Sequence, residues 1–306
     1  MVVNNITLNN GVLMPEVGLG TWKGNEEGEL TKAIKTAVDV GYRHIDCAKF
    51  YGNQPEIGKA LSELTIPRKE MFIVSKFWQT KHRPELVAGA LDEILDELQL
   101  EYLDLLLMHF PFAVVPESKS TMFPPPEDLD NVPIMDTWRA MEALLDTGKV
   151  RAIGVSNFNK SILAKMIPQC RVIPAVNQIE IQPYYQSPDL VDFCQQNGIA
   201  VTGFAPLGGN GINVMDNEFI KRIADTHICT PAQVILSWVR SRGIAVIPKS
   251  TNEIRMKQNL ESITLTKDEK LAFKRLDKNE PVYDPFKFVK ELEWVLHDDR
   301  AKCPLI

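Results

Sequence analysis

The sequence predicts an α/β protein, and we expect a (β/α)8 barrel, the TIM barrel. Segments with strand and helix patterns alternate along the chain. The strand candidates are short and apolar on both faces, as in a parallel sheet covered by helices. They number eight, which favours a closed barrel, although the alternation alone is also satisfied by a doubly wound open sheet.

The strand candidates come at regular intervals, and each is followed by a segment with helical spacing. The predicted strands are EVGLG, RHID, MFIVS, YLDLLLMH, AIGVS, AVNQIE, AVTGFA and AVIP. The predicted helices cover 26–42, 55–64, 84–100, 134–150, 159–167, 188–198, 217–227, 231–243 and 252–260. Gly41 is a typical stop for the first helix. Ahead of this pattern, ITLNNGVLMP alternates around an Asn-Asn-Gly turn and predicts a β-hairpin that caps the bottom of the barrel.

Length and composition are those of an ordinary globular protein. The chain has 306 residues, of which 44% are hydrophobic and 24% charged. Length alone allows one or two domains, but closed α/β barrels run to about 250 residues as one unit. The eight strand candidates favour the single unit, and we expect one barrel domain over residues 1–306.

The net charge indicates which kind of ligand to expect, and the leader, membrane-span and cysteine patterns indicate the compartment. The net charge is −6 with no long basic run, which argues against nucleic acid and anionic membranes and favours a small-molecule ligand. No leader peptide or run of about 18 apolar residues is present, so we expect a cytoplasmic protein. The five cysteines are odd in number and form no CxxC pair, which predicts reduced thiols.

Two segments interrupt the alternation. Residues 111–133 are proline-rich and too long for a tight connection, and residues 278–306 follow the last helix as a tail. Long excursions from a compact domain are usually functional loops. We expect loops or lids over the barrel mouth, with loosely packed surface insertions as the alternative.

Polar and aromatic side chains follow every predicted strand. The carboxyl ends of the strands form the mouth of a barrel, where barrel enzymes place their chemistry. In chain order these side chains are Thr21, Trp22, Asp46, Tyr51, Lys76, Trp78, His109, Phe110, Ser156, Asn157, Asn177, Gln178, Phe204 and Lys249.

Four of these residues suggest a proton-donating site without a metal. A lysine directly after a buried strand needs a carboxylate partner, and Asp46 is available to Lys76. A cation beside Tyr51 lowers the pKa of its phenol, which suits it to acid catalysis. His109 is placed to donate a hydrogen bond to a substrate oxygen. Taken singly, such a lysine is usually a surface residue and such a histidine a structural one.

The other histidines have no metal-binding spacing. They are His44, His82, His227 and His297. None forms an HxH or HExxH pattern, so we interpret them as structural and expect no metal site.

Several stretches resemble the successive motifs of the aldo-keto reductase superfamily, in particular its aldose-reductase-like branch, which includes aldehyde and xylose reductases. They are GYRHIDCAKFYGNQPEIGKAL, IVSKFW, LLLMHFP, GKVRAIGVSNF, VNQIE, VTGFAPLG and IPKSTNEIRMKQN, and they span about residues 6 to 280. The resemblance implies a (β/α)8 barrel that binds NADP(H) and reduces aldehydes and ketones, including aldose-type sugars, to alcohols. It places Asp46, Tyr51, Lys76 and His109 on the catalytic tetrad, with Tyr51 as general acid.

A cofactor is needed because no side chain donates a hydride. The chain has no G-x-G-x-x-G fingerprint, so a dinucleotide is held differently. The cations Lys249 and Arg255 flank a predicted helix start, which forms a good phosphate cradle but is also typical of a solvated surface. The resemblance assigns cofactor contacts to Thr21, Trp22, Asp46, Ser156, Asn157, Gln178, Phe204, Ala205, Pro206, Leu207, Lys249, Ser250, Thr251, Arg255, Gln258 and Asn259. Lys249 and Arg255 match the positions that hold the 2′-phosphate, which favours NADP over NAD.

The resemblance also implies a substrate pocket formed by Trp22, Trp78, His109 and Phe110. Ordinary packing at the barrel rim is the alternative for the three aromatic residues. Two other functions stay open: a non-catalytic NADP(H)-binding sensor or structural barrel, and an enzyme of phosphorylated metabolites that uses Lys249 for its substrate. We expect a monomer, with a homodimer open.

Overall fold

The structure is a computed structural model that describes residues 4–24, 27–119, 122, 124–209 and 211–283. It begins with an antiparallel hairpin, β1 (Asn5–Thr7) and β2 (Leu13–Pro15). Eight further strands pair in parallel, each with the next along the chain. These strands are β3 (Leu19–Gly20), β4 (His44–Asp46), β5 (Phe72–Phe77), β6 (Leu105–Met108), β9 (Ile153–Ser156), β10 (Val176–Glu180), β11 (Ala200–Phe204) and β12 (Ile244–Val246).

The sheet closes between its first and last strands. Val17 forms a parallel bridge with Val246, where the Gly18 N–H donates to the Val246 carbonyl at 2.8 Å. The Val246 N–H donates in turn to the Glu16 carbonyl at 2.8 Å. The predicted barrel is therefore confirmed, and the open-sheet alternative is wrong.

Helices follow the strands as the periodicity predicts. They are α1 (Glu29–Val40), α2 (Gln54–Ser62), α3 (Pro84–Leu98), α4 (Ile134–Leu144), α5 (Lys160–Met166), α6 (Pro188–Gln196), α7 (Glu218–His227), α8 (Pro231–Arg240), α9 (Glu253–Leu260) and α10 (Lys267–Phe273). Helix α1 ends at Gly41, whose φ of 117° lets its N–H reach the Ala37 carbonyl. Helix α10 was not predicted, although Thr266 and Glu269 form a capping box at its start.

The bottom of the barrel is filled with apolar side chains. Leu8 and Met14 of the hairpin cluster with Phe72, Val74 and Leu107 of the strands. All five are nearly inaccessible to solvent. The predicted hairpin cap is thus present, and its apolar side chains fill the interior of the barrel at this end.

The two segments predicted as lids are described in part. Residues 111–133 contain a small hairpin of β7 (Ala113–Val114) and β8 (Leu129–Asp130), which Arg83 joins through an ion pair with Asp130 at 2.7 Å. The tail is described only to Tyr283, so His297 and Cys303 lie outside the described residues. Cys47, Cys170, Cys194 and Cys229 are free thiols. None of the described helices is long and apolar enough to cross a membrane.

Ile228, at the end of α7, has a backbone conformation that suits glycine. Its φ is 52° and its side chain is 95% exposed. The left-handed region costs about 1–2 kcal/mol for residues with a Cβ and is least favourable for β-branched ones. We expect Ile228→Gly to raise the free energy of unfolding by about 1 kcal/mol, measured as a higher midpoint of urea denaturation. Ile228→Ala, which retains the Cβ, should gain less, and a lower midpoint for the glycine variant would contradict this assignment of strain.

Candidate active site

A cavity of about 440 Å³ opens at the carboxyl ends of the strands. Most of the side chains that the sequence singled out lie on its wall. Those residues are Thr21, Trp22, Asp46, Tyr51, His109, Phe110, Ser156, Asn157, Gln178, Phe204, Ala205, Pro206, Leu207 and Lys249. The barrel therefore brings groups that are more than 200 positions apart in the chain into one site.

Lys76 forms an ion pair with Asp46, which lies on the wall of this cavity. The ammonium nitrogen lies 2.6 Å from Asp46 Oδ1, and the side chains of both residues are 1% exposed. The same nitrogen donates to the Cys47 carbonyl at 2.7 Å. Burial alone would lower the pKa of Lys76, but the Asp46 carboxylate raises it above its ordinary value. Lys76 is therefore charged at neutral pH.

Asp46 also links this pair to the opposite side of the barrel. Its second oxygen accepts a hydrogen bond from Gln178 Nε2 at 2.7 Å. Its backbone carbonyl accepts one from the Thr21 hydroxyl at 2.8 Å. Thr21 follows β3, Asp46 ends β4 and Gln178 lies within β10, so Asp46 joins these three strands through its carboxylate and its backbone carbonyl.

Tyr51 lies on a short 3-10 turn after β4 that ends at Gly52. The Lys76 ammonium is 5.3 Å from the centre of the Tyr51 ring. Burial raises the pKa of Tyr51 to about 12, and the charge of Lys76 only partly offsets it. The predicted net lowering of this pKa is thus wrong, because desolvation of the phenolate outweighs the nearby cation. Tyr51 keeps its proton at neutral pH.

His109 follows β6 and faces the Tyr51 ring. The two ring centres are 6.1 Å apart at an angle of 73°. Burial, followed by the charge of Lys76, holds the pKa of His109 well below its usual range. The imidazole is therefore neutral and has one N–H to donate.

The aromatic residues of the predicted substrate pocket form a stacked wall. Phe50 packs face to face on Trp78, with ring centres 3.9 Å apart, and on Trp22 at 5.8 Å. Trp22 and Phe110 line the cavity, whereas Trp78 does not and instead packs edge-on against His109 and Phe110. The sequence did not single out Phe50, because its neighbours in this stack are fixed only by the tertiary fold.

Another part of the cavity wall is a polar group formed by Ser156, Asn157 and Gln178. The Ser156 hydroxyl donates to the Gln178 carbonyl at 2.9 Å. Asn157 adopts a left-handed backbone conformation, and its amide donates to the His109 carbonyl at 3.0 Å. This group is therefore connected both to the ion pair, through Gln178, and to the histidine.

Lys249 lines the cavity where the barrel closes. Its ammonium donates to the Lys23 carbonyl at 3.1 Å and lies 3.6 Å from a Glu29 carboxylate oxygen. The other residues of this part of the chain that were assigned to cofactor contacts do not line the cavity, and they precede α9 or lie on it. They are Ser250, Thr251, Arg255, Gln258 and Asn259.

Five further side chains on the cavity wall were not predicted. They are Lys23, Met122, Ile247, Pro248 and Tyr283. Lys23 directly follows the predicted Trp22. Met122 and Tyr283 belong to the two segments predicted as loops or lids, for which the sequence indicated no single residue.

The closed barrel with its site at the strand ends places this protein among the (β/α)8-barrel enzymes. Residues 16–278 match the model of the aldo/keto reductase family. The chain belongs to this family, and the predicted resemblance is confirmed.

Known proteins of high similarity include both sequences and solved structures. Aldo-keto reductase family 1 member A1 of Pongo abelii is 41% identical over 298 residues, covering 91% of each chain. The aldose reductase of Schistosoma japonicum has a TM-score of 0.86 and 38% identity, with 94% of this chain and 96% of that chain covered. The Bombyx mori aldo-keto reductase solved in complex with NADP has the same TM-score and 33% identity, with 94% and 97% covered.

Activity should need both charges of the buried ion pair, whereas stability should need only that neither charge is left without its partner. We expect Asp46→Asn to lower the free energy of unfolding by about 3–5 kcal/mol, because it leaves the Lys76 ammonium buried without a counter-ion. A second change, Lys76→Met, removes that charge and should restore most of the stability without restoring carbonyl reduction. Urea denaturation and NADPH oxidation check the two effects. If the double variant is less stable than Asp46→Asn, this electrostatic explanation is wrong.

Proposed function

We propose that this protein reduces aldehydes and ketones to alcohols, with NADPH as the hydride donor and Tyr51 as the general acid. Membership of the aldo/keto reductase family confirms the predicted class, an NADP-dependent oxidoreductase. The observation that supports the roles proposed for the residues is the convergence of Tyr51, His109 and the Lys76–Asp46 pair at one cavity.

The residues of the cavity fit a nicotinamide dinucleotide. NADPH, when bound, supplies the hydride. The amide and hydroxyl groups of Ser156, Asn157 and Gln178 suit a carboxamide, and the Phe204 ring offers a stacking face. Lys249 offers a cation at the cavity wall, and Arg255 lies on the first turn of α9 nearby. We assign the 2′-phosphate to these two cations.

The residues on the proton-donating side of the cavity have separate proposed roles. The Tyr51 hydroxyl, which is protonated at neutral pH, donates its proton to the carbonyl oxygen. The phenolate left behind is buried, and the charge of Lys76 offsets part of the free-energy cost of this burial. Asp46 keeps Lys76 charged and in place. The neutral His109 donates its N–H to the same oxygen and so orients the substrate.

The substrate end of the cavity is mainly aromatic and apolar. Trp22, Phe110 and Met122 contribute its walls. This lining suits small carbonyl compounds with an apolar portion, and we include aldose-type sugars in the proposed range.

We also infer that the protein is a monomer and that it is located in the cytoplasm.

Neither alternative function has an observation in its favour. A sensor or structural barrel has no use for a protonated tyrosine held beside a buried lysine. An enzyme that binds a phosphorylated substrate at Lys249 leaves the polar group of Ser156, Asn157 and Gln178 without a ligand.

The central test is Tyr51→Phe. We expect kcat for a panel of aldehydes, aldoses and ketones to fall by about 10²–10⁴-fold, the usual contribution of a general acid. The dissociation constant of NADPH should stay within about twofold, because the change removes only the hydroxyl. Loss of NADPH absorbance and quenching of tryptophan fluorescence measure the two quantities. Tyr102→Phe, which alters a ring packed under Arg68 away from the cavity, is the matched control. Full activity in Tyr51→Phe would exclude it as the acid.

Lys249→Met tests the cofactor assignment. We expect NADPH affinity to fall by about tenfold or more and NADH affinity to stay within about twofold, because only NADPH has the 2′-phosphate. Lys257→Met removes an exposed lysine of α9 that pairs with Glu253, and it should affect neither cofactor. Equal losses for NADPH and NADH would show that Lys249 does not recognise the 2′-phosphate.

A further inference from the structure

Tyr283, near the end of the described chain, forms part of the cavity wall. Its ring meets the Phe204 ring edge-on, with centres 6.1 Å apart at 68°. A Cβ added at Gly209 would lie 3.3 Å from the Tyr283 hydroxyl oxygen. Tyr283 therefore packs against Phe204, which ends β11 and is the proposed stacking ring for the nicotinamide, and beside Gly209 in the loop that follows.

Glu180 holds the backbone of this segment. It ends β10 and is 4% exposed. One carboxylate oxygen accepts the Val282 N–H at 2.8 Å, and the other accepts the Tyr283 N–H at 2.9 Å. Hydrogen bonds from neutral donors to a buried carboxylate are stronger than those between neutral groups. The tail is thus attached to the barrel directly beside the cavity.

The attachment extends to residues that follow Glu180. Gln182 Nε2 donates to the Glu280 carbonyl at 3.0 Å, and the Tyr184 carbonyl accepts the N–H groups of Lys278 and Glu280. Gln178 lies two residues before Glu180, and alternate side chains of a strand share a face. Since Gln178 donates to Asp46, one strand serves both the proton-donating site and the tail.

We propose that Glu180 is a positioning residue that holds Tyr283 on the cavity wall, where Tyr283 retains bound NADP(H) by closing the side next to Phe204. This inference rests on the proposed function, because it takes NADP(H) as the occupant. Tyr283 is then a cofactor-retaining residue of the site, and Glu180 acts through it.

The experiment measures the dissociation rate of NADPH from the full-length protein by stopped-flow fluorescence. We expect Tyr283→Ala and Glu180→Gln each to raise this rate by about fivefold or more, because a glutamine side chain cannot accept from both N–H groups. The double variant should be no faster than Tyr283→Ala alone, since both changes remove the same contact. Tyr283→Phe, which retains the ring, should give a smaller increase than Tyr283→Ala.

Glu142→Gln is the matched control. Glu142 is also a buried glutamate, 5% exposed, and accepts the Val172 N–H at 2.8 Å, but it lies on α4 and does not line the cavity. Its NADPH dissociation rate should equal that of the wild type even if its stability falls. This comparison separates a positioning role from general destabilisation.

The outcomes separate the inference from the proposed function. Wild-type protein that binds NADPH and reduces aldehydes, with an unchanged dissociation rate in Tyr283→Ala, overturns the inference alone. Additive effects of Glu180→Gln and Tyr283→Ala also overturn it, because Glu180 would then act independently of Tyr283. Wild-type protein that binds no NADPH overturns both. If Glu180→Gln does not fold, Tyr283→Ala still decides the role of the ring.

Discussion

The site depends on the buried ion pair of Lys76 and Asp46. Moving a charged side chain out of water costs several kcal/mol even after relaxation, so neither residue is tolerable here without the other. The remaining hydrogen-bonding capacity is used by the Cys47 carbonyl and the Gln178 amide. An apolar pair of similar volume would fold at least as well in most proteins, so the stability of the barrel does not explain these charges. The chemistry proposed for Tyr51 explains them.

Burial sets the protonation state of each group around this pair. It holds the pKa of Tyr51 at about 12 and that of His109 well below its usual range, so both are neutral proton donors at physiological pH. Lys76 responds differently, because the charge of Asp46 overcomes its desolvation. If the same residues were exposed to water, burial would not shift their pKa values and would not set their protonation states. The apolar aromatic wall around Trp78 and Phe50 is therefore part of the acid–base chemistry as well as of the substrate pocket.

The sequence predicts the fold and much of the candidate site because both follow local rules. Short apolar strands that alternate with helices predict the barrel, and residues directly after a strand reach its mouth. His109 was found in this way, whereas Lys76, predicted to follow its strand directly, lies within the carboxyl end of β5. The stack of Phe50 on Trp78 and the packing of Tyr283 against Phe204 join distant segments, which no local pattern reveals. The direction in which the pKa of Tyr51 shifts was predicted wrongly for the same reason, since the depth of burial is a property of the assembled fold. Helix α10 was missed because only Phe273 of its seven residues is buried, so it lacks an apolar repeat, although its capping box was visible.

Closure of the barrel determines how the proposed roles are distributed along the chain. The residues proposed for proton transfer lie in the first four strand–helix units, and most of those proposed for the cofactor lie in the last four. The hydrogen bonds of Glu16 and Gly18 with Val246 close the barrel where Lys23 lies beside Lys249, and the bond between Gln178 and Asp46 crosses the mouth from one half to the other. Neither half contains a complete site. A change that weakens the closing seam would therefore separate the hydride-donating and proton-donating sides before it removed any single functional side chain.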